Sequence, residues 1–208
     1  LADVADVWIA DHTRSATMAG VARDVLADAP FASFALAGLS MGGYIALEIM
    51  RQAPQRVLRL ALLDTAAAAE LPEQTRRRME FLDLAERGLF DRVTETLLPL
   101  LIHSARQGEH ALTDSIKSMA RNIGKDAFIR QQHAIMSRAD SLGLLGSISC
   151  PTLVLCGRQD ALTPLARHEE IAAGIKGARL EVIEDCGHLS PMEKPAEVNA
   201  ALRSWLSA

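Results

Sequence analysis

The chain has 208 residues, 49% apolar and 23% charged, a composition that excludes predominant disorder and suits one globular domain able to bury a core. Its formal charge of -4, with no long basic run, argues against nucleic acid or an anionic membrane surface as a partner. No apolar run nears the roughly 18 residues that cross a bilayer, and Cys150, Cys156 and Cys186 form neither a CxxC nor an even framework, which points to a reducing, cytoplasmic setting.

In chain order, the first predicted element is a strand in "VADVWIAD", ending at Asp11, followed by a helix over 18–29. A second strand, "SFALAG", ends at Gly38, and a helical pattern runs over 42–53. Between them Leu39, Ser40 and Met41 must make a very tight turn. The pattern Gly38-Leu39-Ser40-Met41-Gly42 fits G-x-S-x-G, in which the serine is forced into a strained conformation that lifts its hydroxyl above the sheet edge. Gly38 and Gly42 are expected to lack the Cβ that would collide as strand and helix converge. The Met41 amide, at the positive end of the following helix, would offer half an oxyanion hole.

A third strand, "RVLRLALLD", ends at Asp64. From Thr65 to about Gly146 no strand pattern appears, only helical segments near 73–87, 91–103 and 112–122, so this span reads as an inserted helical cap. The expected organisation is core 1–64, cap 65–146 and core 147–208. The "RRR" at Arg76 to Arg78 reads as a solvated helix face. A fourth strand, "PTLVLCG", leads to Asp160 and to a helix over 164–175 that Pro164 can open; a fifth, "ARLEVIED", leads to His188 and a helix over 195–206. Alternating strands and helices predict an α/β fold, a mostly parallel sheet covered on both faces, with ligands bound beyond the carboxyl ends of the strands.

A serine hydroxyl needs a base, and the base needs an orienting acid. Ser40, Asp160 and His188, each just past a strand and in that order, are the candidate nucleophile, acid and base. Asp64 also follows a strand and is a weaker candidate for the acid. Arg138 lies where the cap returns to the core, facing either a substrate carboxylate or an ordinary ion pair with Asp140 or a neighbour. Leu162 and Leu189 follow the acid and the histidine and either line a pocket or pack in the core. His12, His103, His110, His133 and His168 have no ligand spacing and read as surface or capping residues. No HExxH, Walker loop or GxGxxG occurs, so the sequence proposes no metal and no cofactor.

The segments "GLSMGGYIALEIMRQAPQRVLRLALLDT", "CPTLVLCGRQDALTP" and "CGHLSPMEKPAEVNAALRSWL" resemble the elbow, acid and histidine segments of the α/β-hydrolase fold superfamily, in particular the branch of 3-oxoadipate enol-lactonases, esterases and C–C bond hydrolases. That resemblance implies Ser40 as nucleophile, His188 as base, Asp160 as acid and Met41 as an oxyanion amide, acting on a small carboxylic ester or lactone through an acyl-enzyme. A C–C hydrolase of a β-diketone-like substrate, or a small-molecule binding protein with a slow triad, are the alternatives. The partner implied is a small molecule, and a homo-oligomer is open. In the resembling proteins several strands precede "VWIADHTRSAT", with an HG-type loop giving the second oxyanion amide. The sequence starts at Leu1, after that point in the pattern, so the native polypeptide is expected to extend upstream, and a removed targeting segment stays open.

Overall fold

A computed structural model describes residues 1–207. Helix α1 (Met18–Asp28) opens on Thr17, whose hydroxyl caps the Gly20 amide. It is followed by β1 (Phe34–Leu39), α2 (Met41–Gln52) and β2 (Val57–Leu63). Five helices then intervene: α3 (Pro72–Glu86), α4 (Phe90–Leu101), α5 (His110–Ile123), α6 (Lys125–Met136) and the single turn α7 (Leu142–Leu145). The chain returns to the sheet with β3 (Thr152–Gly157), α8 (Leu165–Gly174) and β4 (Arg179–Ile183), and ends in α9 (Ser190–Glu193) and α10 (Pro195–Ser207). None of the helices described is long and apolar enough to cross a membrane.

The four strands pair in parallel in the order β1-β2-β3-β4. All six residues of β3 are buried, as a central strand covered on both faces requires. Side chains alternate between two cores. Leu60 and Leu62 of β2 and Val154 of β3 face α1, α2 and α8, while Ala61, Leu63, Leu153 and Leu155 face Val198, Leu202 and Trp205 of α10. Each large aliphatic side chain so buried contributes about 1.5–3 kcal/mol. The helices between β2 and β3 divide by what they pack on: Ala134 and Ile135 of α6 and Leu145 of α7 join the first core, whereas Ile102, Leu112 and Ile116 form a separate cluster around α4 and α5.

The strand expected in "VADVWIAD" does not form. Residues 4–11 join no ladder of the described sheet, and Ile9 is 87% exposed. An apolar alternation makes a strand only where a neighbour offers hydrogen bonds; here only Ala10 reaches the core, and the Thr13 carbonyl accepts from Arg130 instead. Helix α6 was hidden in the sequence because its polar residues obscure its buried stripe, Ala127, Ala134 and Ile135.

Candidate active site

Parallel strands deliver their carboxyl ends to one edge of the sheet, so the residues just past β1, β2, β3 and β4 meet there. Ser40 follows β1 with φ 53° and ψ -114°, the left-handed strain expected of a serine on a sharp strand-to-helix turn. Its amide donates to the Leu63 carbonyl and its own carbonyl accepts from Gly43 N and from Thr65 Oγ1, so three bonds hold the turn. Met41 is the first residue of α2, where an amide has no intrahelical partner.

The glycines around this turn do different work from the expected one. A Cβ on Gly38 would lie 2.2 Å from the Gly42 carbonyl oxygen, so glycine is required there. At Gly42, however, a Cβ would meet nothing within 4 Å; the second constrained position is Gly43, where it would lie 2.3 Å from Thr65 Oγ1. Helix α2 therefore packs through Gly43 against the start of the Thr65 segment, not through Gly42.

The structure brings Ser40, His188 and Asp160 into one hydrogen-bonded chain. His188 Nε2 lies 2.8 Å from Ser40 Oγ and His188 Nδ1 2.8 Å from Asp160 Oδ2. His188 is 2% exposed and Asp160 4%. Asp160 Oδ1 accepts from the amides of Leu162 and Thr163, and Oδ2 also accepts from Thr163 Oγ1. Burial pushes the Asp160 carboxyl up, but the bond and charge of His188 and the Thr163 bonds outweigh it and hold the group below the usual carboxylate range.

Asp64 takes a different place. It is fully buried, with φ 46°, and its Oδ1 accepts from Gly157 N while Oδ2 accepts from Ser190 N and from Ser190 Oγ at 2.5 Å. Burial raises its pKa to about 7 against the opposing pull of His188 and the Ser190 bond. It thus ties β2 to β3 and to the loop that carries His188, but its hydrogen bonds bypass the imidazole.

The remaining expected residues lie as follows. The Arg138 guanidinium is paired with Glu70 and lies 4.3 Å from the centre of the Tyr44 ring; Glu70 also receives Arg78 Nε at 2.5 Å. Arg78, expected on a solvated face, is therefore turned inward. Asp140, the first alternative partner for Arg138, accepts instead from the amides of Ala69 and Leu142. Leu189 packs with Ile102, Leu112 and Ile116, and Leu162 is half-buried. His168 departs from expectation most: it is fully buried, and its Nε2 accepts from Thr65 N at 2.8 Å. Burial lowers its pKa to about 4 despite the attraction of Asp160, so it is neutral with its proton on Nδ1. His168, Thr65 and Gly43 brace the Ser40 turn, and Glu193 and Ser190 the His188 loop. Only Thr163, three residues past Asp160 at a spacing that lets its amide and hydroxyl reach the carboxylate, was open to detection in the sequence.

Among the residues described, no group of three or more His, Cys, Asp and Glu side chains could hold a metal ion. Known proteins share this fold. A thermophilic esterase from Thermogutta terrifontis superposes with a TM-score of 0.86 at 33% identity, over 93% of this chain and 73% of its own. The 2-hydroxy-6-oxo-6-phenylhexa-2,4-dienoate hydrolase of Comamonas testosteroni is 27% identical over 199 residues, 93% of this chain and 70% of the relative. The enol-lactonase of Burkholderia xenovorans LB400 shares the fold at a TM-score of 0.83 with 24% identity, over 92% of this chain and 72% of its own. The model of the alpha/beta hydrolase fold family matches residues 4–195, nearly the whole chain, and the protein belongs to that family.

Proposed function

We propose that the protein is a serine hydrolase of small carboxylic esters or lactones. One observation carries the reading: the unbroken chain Ser40 Oγ, His188 Nε2, His188 Nδ1, Asp160 Oδ2, with both links at 2.8 Å, beyond the carboxyl ends of a parallel sheet. His188 takes the Ser40 proton as Oγ attacks the substrate carbonyl, and Asp160 fixes the imidazole tautomer and stabilises the imidazolium. The Met41 amide, at the positive end of α2, receives the developing oxyanion; each such donor is worth about 10²–10³ in rate. His188 then protonates the departing alcohol or enol, and activates the water that frees Ser40. Helices α3, α4 and α5, inserted between β2 and β3, shape the substrate side of the site. The buried Glu70 already neutralises Arg138, so we assign Arg138 to packing rather than to a substrate carboxylate.

The second reading, hydrolysis of a C–C bond in a β-diketone-like substrate, draws on the name of the Comamonas relative. The two part on substrate alone, and a panel of esters, lactones and diketones ranks them. A fluorophosphonate should label one peptide, that of Ser40, and p-nitrophenyl acetate should be turned over repeatedly. Ser40→Ala should abolish both. Labelling that survives the substitution would overturn the assignment, and a single stoichiometric burst would make the protein a binder with a slow triad.

A further inference from the structure

The loop that carries His188 is bonded on one side to the sheet and on the other to the inserted helices. Toward the sheet, Ser190 anchors it to Asp64. Toward the insert, a buried carboxylate takes two bonds at once. Glu193, 5% exposed, accepts with Oε1 from Gly187 N at 2.8 Å and with Oε2 from His103 N at 2.7 Å. Gly187 immediately precedes His188, and His103 lies two residues past the end of α4. On the far side of His188, Leu189 N donates to the Leu101 carbonyl at 3.0 Å.

The approach of the two segments leaves no slack. A Cβ on Gly187 would lie 2.6 Å from His103 N and 2.7 Å from Ile102 C. Leu189 belongs to the same apolar cluster as Leu112 and Ile116 of α5. The Gly187 amide is buried, so it has no ready substitute acceptor if the carboxylate is lost.

We propose that Glu193 is a positioning residue: by bridging Gly187 and His103 it locks the His188 loop to the docked end of α4, so that the register of His188 on Ser40 is set by the seating of α4 and α5. This rests on the reading of Ser40, His188 and Asp160 as the reacting group. It follows that a substrate that shifts α4 changes the alignment of the base as well as the shape of the pocket, which couples specificity to rate. The anchor at Asp64 stays in place when the bridge is broken, so the expected loss is partial.

Glu193→Gln keeps the volume but leaves one acceptor oxygen for two amides. It should lower kcat by 10- to 100-fold with KM within about threefold, accelerate amide hydrogen exchange in both 101–103 and 186–189, and broaden the low-field proton resonance of the His188–Asp160 hydrogen bond. Val93→Ala, made near the start of α4 and outside the cluster that holds Leu189, should accelerate exchange at 186–189 as well. Glu193→Gln with unchanged kcat and unchanged exchange at 186–189 would overturn the proposal. So would a Val93→Ala effect confined to the inserted helices, which decides the matter if the Glu193 variant does not fold. Should the wild-type protein turn over no ester, lactone or diketone, the hydrolase reading fails, while the exchange comparison still decides whether the two segments are coupled.

Discussion

Two aspartates end neighbouring strands of the same sheet, and only their hydrogen bonds tell them apart. Asp160 meets the imidazole and two amides, whereas Asp64 meets one amide across the sheet and both donors of Ser190. On the proposed mechanism, Asp160→Asn presents an amide to Nδ1 and favours the wrong tautomer, so acylation by p-nitrophenyl acetate, followed in a stopped flow, should slow by about 10⁴-fold. Asp64→Asn keeps one acceptor and touches no reacting group, so it should slow acylation far less. The opposite ranking would move the acid to Asp64. The thiol of Cys186, two residues from His188, is no rival nucleophile: burial and the neighbouring Glu193 carboxylate push it up, out of the range in which a thiolate forms.

The strained Ser40 turn is fixed from both sides where β1 passes into α2. Gly38 lets the helix start cross the end of β1, and Gly43 lets it press on Thr65, which is itself held by His168. Because Gly42 faces open space in the first turn of a helix, Gly42→Ala should stabilise the fold by about 0.5–1 kcal/mol, the entropy glycine loses there. Gly43→Ala should destabilise it by about 1–3 kcal/mol, since a methyl must displace the Thr65 side chain inside a packed core. Urea unfolding of the two variants tests the contrast, and equal midpoints would show that the α2 contact is softer than its distances imply.

Across the whole molecule, two buried groups set opposing responses to pH. Asp64 titrates near 7 when folded and near 3.8 when unfolded, so the folded state holds its proton more tightly, and this contribution to stability is lost as pH rises from about 4 to 7. His168 titrates near 4 folded and 6.5 unfolded; the folded state prefers it neutral, and its contribution is lost as pH falls from about 6.5 to 4. Each pH unit that separates the folded from the unfolded titration is worth about 1.4 kcal/mol, so the two contributions come to about 4 and 3 kcal/mol and nearly cancel in the same window. Asp64→Asn removes one of them. Denaturant titrations should show the stability of this variant relative to wild type rising by up to about 4 kcal/mol between pH 4 and pH 7. A pH-independent difference would mean that Asp64 is ionised throughout.

The sequence alone determined the parallel sheet and the hydrogen-bonded chain of Ser40, His188 and Asp160. The runs ending at Asp64 and Gly157 are legible because central strands covered on both faces are apolar, and those ending at Gly38 and Asp185, on the edges of the sheet, by the Gly and Asp that bound short apolar-rich runs; a parallel sheet then sends Ser40, Asp160 and His188 to one edge whatever the details of packing. Tertiary structure decided everything that depends on a neighbour remote in the chain. Residues 4–11 carry the pattern of a strand, but pairing needs a partner, and no described strand lies beside them. Gly42 and Gly43 are equivalent as letters; the position of Thr65 makes one indispensable and the other not. The burial of His168, the capture of Arg138 by Glu70 and the bridge from Glu193 to His103 join residues 103, 68 and 90 positions apart. No local pattern encodes such pairs, because the chain geometry that brings them together exists only once the sheet and its helices have packed.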